Sequence, residues 1–166
     1  MENLQLVMGD ITSANVDAIV NAANSVMLGG GGVDGAIHLA AGPALLQACY
    51  GVPEIDGIRC PAGEARMTVA GDLAAQYVIH TVGPRYHIDP QPEVLLESAY
   101  RSVLHLALQH NCHSIALPAI SCGVYAYPLQ EAAHIALGVC RESEFKNLQM
   151  TFYLFGQNIF DVFSAA

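Results

Sequence analysis

Four consecutive glycines, Gly29, Gly30, Gly31 and Gly32, constrain this chain more than any other feature. Ordering a glycine costs more backbone entropy than ordering any other residue. A run of four belongs where a backbone must approach a ligand closely or take positive φ. Asn21 and Asn24 precede the run and Asp34 follows it, so two amides and one carboxylate share a single turn. The apolar residues 16–20 before it read as a buried strand. Residues 33–41 after it place Val33, Ile37, Ala40 and Ala41 at helical spacing and stop at Gly42-Pro43.

The rest of the chain continues that alternation. Residues 4–8 read as a strand broken by Gly9-Asp10, 44–50 as a second short helix, and 51–63 as a surface loop. Strands are predicted over 65–70 and 77–82, and a long helix over 93–110. A strand over 114–118 leads into the loop Ser121-Cys122-Gly123-Val124-Tyr125. Pro128 suits the first turn of a helix running to about Arg141. A last strand over 151–155 and a final helix from Gln157 complete the pattern. Alternating strands and helices predict an α/β fold with a mostly parallel sheet covered on both faces. Such a sheet has strands that are apolar throughout, which accounts for a mean hydropathy of +0.37 without a membrane span of ~18 apolar residues. Ligands of these folds bind at the carboxyl ends of strands. Asp10, the Asn/Gly loop and the 121–125 loop all follow strands and fall on one rim.

Composition narrows the partners. The net charge of -9, with only six Lys and Arg, argues against direct nucleic-acid binding. No Lys or Arg precedes Arg59, so the glycine loop has no cation nearby in sequence, and a phosphate there is expected to be held by backbone N–H groups and a helix N-terminus. Five cysteines without a C-x-x-C pair read as reduced thiols, and Met1-Glu2-Asn3 opens no basic leader. The expected location is cytoplasmic, away from membranes. His110, Cys112 and His113 lack a fourth ligand nearby and read as a helix end rather than a metal site. His38 reads as a packed, hydrogen-bonded histidine, and Cys122, with no adjacent histidine, as a small filler.

Gly30-x-Gly32-x-x-Gly35 matches a dinucleotide-binding pattern, and Glu54 lies about the right distance downstream. In that pattern the glycines begin at the strand end, whereas here residues 21–28 intervene. The residue types suit a nucleoside diphosphate sugar instead. Two loops of N–H donors can hold the diphosphate, and the Asn24 amide can bond a sugar hydroxyl. The Asp34 carboxylate at a helix start can accept a proton or orient water. Asp10 can accept from an exocyclic amine.

Gly9-Asp10-Ile11-Thr12, residues 16–24, the run Leu28-Gly-Gly-Gly-Gly-Val-Asp-Gly-Ala-Ile-His38, His80-Thr81-Val82-Gly83-Pro84 and residues 118–128 together resemble macro domains, specifically the MacroD-type ADP-ribose hydrolases. The resemblance covers most of the chain. It implies one domain over residues 1–166, a three-layer α/β/α sandwich around a mixed, mostly parallel sheet, and binding of ADP-ribose. By that resemblance Asp10 bonds the adenine amine, Ile11 lines the adenine pocket and Phe155 stacks on the base. Gly29, Gly30, Gly31, Gly32 and Val33, with Ser121, Cys122, Gly123, Val124 and Tyr125, wrap the diphosphate and distal ribose. Asn24 and Asp34 fall on the catalytic positions. The implied reactions are release of ADP-ribose from acidic side chains of modified proteins and deacetylation of O-acetyl-ADP-ribose, with no cofactor or metal. A non-catalytic reader of ADP-ribosylated proteins needs only the pocket and stands as the alternative. Leu39 in place of an Arg, and Cys122 in place of a Thr, depart from the pattern.

Overall fold

The computed structural model describes residues 3–166. Met1 and Glu2, part of the segment read above as lacking a basic leader, lie outside them. Six strands form one sheet: β1 (Leu4–Met8), β2 (Ala18–Ala22), β3 (Ala65–Val69), β4 (Tyr77–Thr81), β5 (Ser114–Leu117) and β6 (Gln149–Leu154). Their spatial order is β1-β6-β5-β2-β4-β3. Every pairing is parallel except β3 with β4. The expected mixed, mostly parallel sheet is therefore present.

Five helices cover the two faces: α1 (Gly32–Ala41), α2 (Pro43–Tyr50), α3 (Pro92–Gln109), α4 (Leu129–Cys140) and α5 (Gln157–Ala165). Adjacent strand residues point to opposite faces. Ile19 and Val78 accordingly join Ile37 of α1 and Leu45 of α2 in one apolar cluster. Val20, Ile79, Ile115 and Phe152 join Tyr100 of α3, Leu137 of α4 and Phe163 of α5 in the other. Two buried faces explain why the central strands β2 and β5 run without polar alternation.

The ends of elements differ from expectation for local reasons. Pro128 caps α4 rather than opening it, because its ψ of 127° is extended. β6 closes at Leu154, leaving Phe155 outside the ladder. Short 3-10 turns at Ile11–Ser13 and Ser143–Phe145 were not predicted; the first is capped by the Asp10 side chain, which accepts from Thr12 N. No helix among the described residues is long and apolar enough to cross a membrane.

Candidate functional site

The carboxyl ends of β2, β4 and β5 open onto a cavity of about 530 Å³. Ala22, Ala23 and Asn24 enter it from β2, Gly83 from β4, and Pro118, Ala119 and Ile120 from β5. The residues Gly30 to Asp34 form one wall, and Ser121, Gly123, Val124 and Tyr125 form another. None of the lining residues is Lys or Arg.

The glycine loop is closed by the Asn24 side chain. Its Nδ2 donates to Gly29 O at 3.1 Å, and its Oδ1 accepts from Met27 N at 3.0 Å. Gly29 and Gly32 take φ of 98° and 57°, a region that L side chains avoid. The loop then folds against the helix it starts. A Cβ on Gly35 would stand 2.6 Å from Gly30 O, so only glycine permits this approach. Gly31, the N-cap of α1, offers no side-chain cap, so the first N–H groups of the helix have no side-chain acceptor at the cavity wall.

Asp34 sits in the first turn of α1 and is 4% exposed. Its Oδ1 accepts from Asn21 Nδ2 at 2.8 Å. His38, one helical turn on, places Nε2 3.4 Å from the same oxygen without making a directed hydrogen bond. The expectation of a packed, hydrogen-bonded His38 is thus half met: the ring is packed, but its Nε2 is unpartnered. Asp34 Oδ2 has no partner either, and it lies 3.0 Å from the point where a Cβ would leave Gly30. Asn24 Nδ2 is 3.2 Å from that point. An amide donor and a buried, unpartnered carboxylate oxygen therefore converge beside Gly30.

The second loop is held from beneath. Tyr100 Oη in α3 accepts from Ile120 N at 2.9 Å and donates to Pro118 O at 3.2 Å. Ser121 takes φ of 66°, and its Oγ donates to Pro84 O at 2.8 Å. A Cβ on Gly83 would overlap that hydroxyl, so the glycine lets the two loops touch. Tyr125 O accepts from Tyr86 N at 2.9 Å. The N–H groups of Gly123, Val124 and Tyr125 have no acceptor among the described residues.

The macro-domain family model matches residues 20–136. A macro domain-containing protein of Vibrio parahaemolyticus is 60% identical over all of this chain and 98% of its own length. An O-acetyl-ADP-ribose deacetylase of Klebsiella pneumoniae is 58% identical over 80% of this chain and 76% of its own. The Oceanobacillus iheyensis macrodomain with ADP superposes with a TM-score of 0.92, at 42% identity, covering 98% of this chain and 88% of the other. The chain belongs to the macro-domain family.

Other residues singled out in the sequence occupy different parts of this macro domain. Asp10 and Ile11 follow β1, and Phe155 follows β6, so all three stand on the same rim as the cavity without lining it. Asp10 Oδ1 is occupied by Thr12 N and Oγ1, at 2.9 and 2.8 Å. The Ile11 side chain is 5% exposed and packs in the cluster of Ile37, so it fills the core. Phe155 is 87% exposed. Cys122 departs most from its assigned place. Its side chain turns away from the cavity, donating to Ile120 O at 3.6 Å and packing on the core, and burial pushes its thiol up to about 12. It is a filler, as the lack of a nearby histidine suggested, and offers no thiolate. Leu39 lies 86% exposed on α1. His110 Nδ1 bonds Leu106 O at 3.1 Å as a helix-end contact. Among the described residues no group of three His, Cys, Asp or Glu can hold a metal ion.

Sequence reasoning missed the layer under Asp34. Asn21 and His80 are both 0% exposed and sit side by side in the β2–β4 register. The signal was present in each strand, as Asn21 among apolar residues in β2 and as the polar pair His80-Thr81 closing the apolar run of β4. A buried amide or imidazole is retained only with partners.

Proposed function

We propose that this protein hydrolyses esters of ADP-ribose. It would release ADP-ribose from acidic side chains of modified proteins and remove acetate from O-acetyl-ADP-ribose. The observation that carries this reading is the convergence of Asp34 Oδ2 and Asn24 Nδ2 beside Gly30, in a cavity that all three residues line. A ligand with a diphosphate and a sugar fits the remaining lining. The free N–H groups at the start of α1 and of the 123–125 loop suit an anion where no basic side chain is available. The ADP in the Oceanobacillus iheyensis macrodomain and the activity named for the Klebsiella relative support the same ligand class. Asp10, Ile11 and Phe155 on the adjoining rim would receive the adenine, with Ile11 contributing its backbone rather than its packed side chain.

The chemistry follows from the acceptor. Asn24 holds the distal ribose by its second amide hydrogen. A water beside Asp34 Oδ2 gives its proton to that oxygen as its own oxygen adds to the ester carbonyl carbon. The acyl–oxygen bond then breaks, and the proton passes to the departing ribose oxygen. A positioned base of this kind contributes about 10²–10⁴ in rate.

The reader alternative draws on a different observation. Both polar ends of Asn24 are already engaged in closing the loop, a role that a binding module would equally need. Release of free ADP-ribose from a glutamate-ADP-ribosylated protein, alongside ADP-ribose calorimetry, separates the two. Release by the wild-type protein supports the hydrolase. Tight binding without release would establish the reader, and no binding would overturn both.

A further inference from the structure

The sheet face beneath α1 and α2 carries a row of buried polar side chains among its apolar ones. Asn21 on β2 lies beside His80 on β4; Thr68 on β3, opposite Val78, reaches the His80 ring diagonally, and the row ends at Asp34. All four side chains are buried, between 0% and 8% exposed. Apolar residues of similar size would fill this face at least as stably, since a paired buried polar group adds little net stability. The row is therefore better explained by orientation than by folding energy.

Its bonds leave one arrangement of protons. A carboxylate only accepts, so Asn21 must present Nδ2, not Oδ1, to Asp34 Oδ1 at 2.8 Å. The same Nδ2 reaches His80 Nδ1 at 3.1 Å, so that ring nitrogen carries the lone pair. The ring proton is then on Nε2, 3.0 Å from Thr68 Oγ1. The Thr68 hydroxyl in turn donates to Val69 O at 3.0 Å. Cys49 Sγ, 3.8 Å from Nε2, is the only other polar atom recorded at the ring among the described residues. If the Asn21 amide turned over, two acceptors would face each other at Asp34.

We propose that His80 and Thr68 are positioning residues for the hydrolysis. They hold the ring as its Nε2–H tautomer, which pins the Asn21 amide against Asp34 Oδ1 and leaves Oδ2 as the unpartnered oxygen beside Gly30. This rests on the hydrolase reading above. Burial keeps the ring uncharged, pushing His80 down to about 3. Neither residue touches the cavity, so their effect passes through Asn21 and Asp34.

The test has two readouts. Long-range proton–nitrogen NMR of the wild-type protein at pH 7 is expected to show His80 as a single Nε2–H tautomer. A protonated Nδ1 or an imidazolium would overturn the proposal. In the release assay, His80→Leu, which removes the acceptor, is expected to lower kcat about 10- to 100-fold with KM and the ADP-ribose Kd within about 3-fold. His80→Asn, which returns an acceptor near Nδ1, is expected to recover most of that loss. Thr68→Val, a near-isostere that guards against misfolding, is expected to yield mixed tautomers and a smaller fall in kcat. Wild-type kcat in His80→Leu, or a loss confined to KM, would overturn the proposal while leaving the hydrolase standing. No release by the wild-type protein would remove the hydrolase reading and this one with it, whatever the tautomer.

Discussion

Asp34 Oδ2 lies 3.0 Å from the point where a side chain would leave Gly30, so only a residue without one leaves that oxygen uncrowded. Gly30 has no positive φ, and its backbone accepts alanine. A methyl there would press on Asp34 Oδ2 and Asn24 Nδ2 and occupy the space a reacting ester needs. Gly30→Ala is expected to lower kcat/KM about 100-fold while moving thermal stability by less than about 1 kcal/mol. Parallel melting curves and release assays check this. An active Gly30→Ala would move the reacting centre elsewhere in the cavity.

Asp34→Asn tests the proton acceptor with little change of shape. The Asn amide oxygen can still accept from Asn21, so the row beneath survives. The expected result is a fall in kcat of about 10²–10⁴ with ADP-ribose affinity within a few-fold by calorimetry. Equal losses in binding and turnover would make Asp34 a binding residue only.

The layers of this fold were legible because its strands carry apolar residues on both faces, as in Ile19 and Val20, while the helices keep their own spacing. The rim was legible because loop chemistry is local: Asn24, the glycines and Asp34 fall within eleven residues. What stayed hidden depends on distance in sequence. Residues 21, 68 and 80 meet only through the strand order β2-β4-β3, which no local pattern states. Cys122 was assigned to the ligand by its loop, yet a loop can offer its backbone to the cavity and turn a side chain to the core. His38 looked like ordinary packing although the helix read over 33–41 already sets it one turn from Asp34; what the sequence did not show is that Asp34 is buried there.

Gly31 and Gly35 are expected to respond oppositely to alanine although only four positions separate them. A Cβ on Gly31 meets nothing within 4 Å, so Gly31→Ala is expected to shift stability by no more than about 0.5 kcal/mol. A Cβ on Gly35 would stand 2.6 Å from Gly30 O, which is backbone and cannot swing aside. Gly35→Ala is expected to cost about 1–3 kcal/mol and to loosen the glycine loop, read as a lower Tm and weaker ADP-ribose binding. Matching melting curves for the two variants would contradict the close approach of loop and helix.

The buried ring of His80 sets a pH dependence of stability whose sign is fixed by its environment. Burial, with the neighbouring His38 ring adding in the same direction, lowers its pKa from 6.5 to about 3. The unfolded chain therefore takes up a proton below about pH 6.5 that the folded chain refuses until about pH 3. Stability from this group is constant above 6.5 and falls as pH drops through that window, by at most about 1.4 kcal/mol per pH unit. Other titratable groups around the ring include the Cys49 thiol, His38, Arg66 opposite it on β3 and, through Asn21, Asp34. Asp89, held below the usual carboxylate range by Arg85, acts in the same direction at lower pH and is present in any comparison of variants. Urea unfolding between pH 7.5 and 5 is expected to show the wild-type protein losing stability more steeply than His80→Asn. Equal slopes would mean that the folded ring accepts a proton readily, and with it that the row beneath Asp34 does not hold its tautomer.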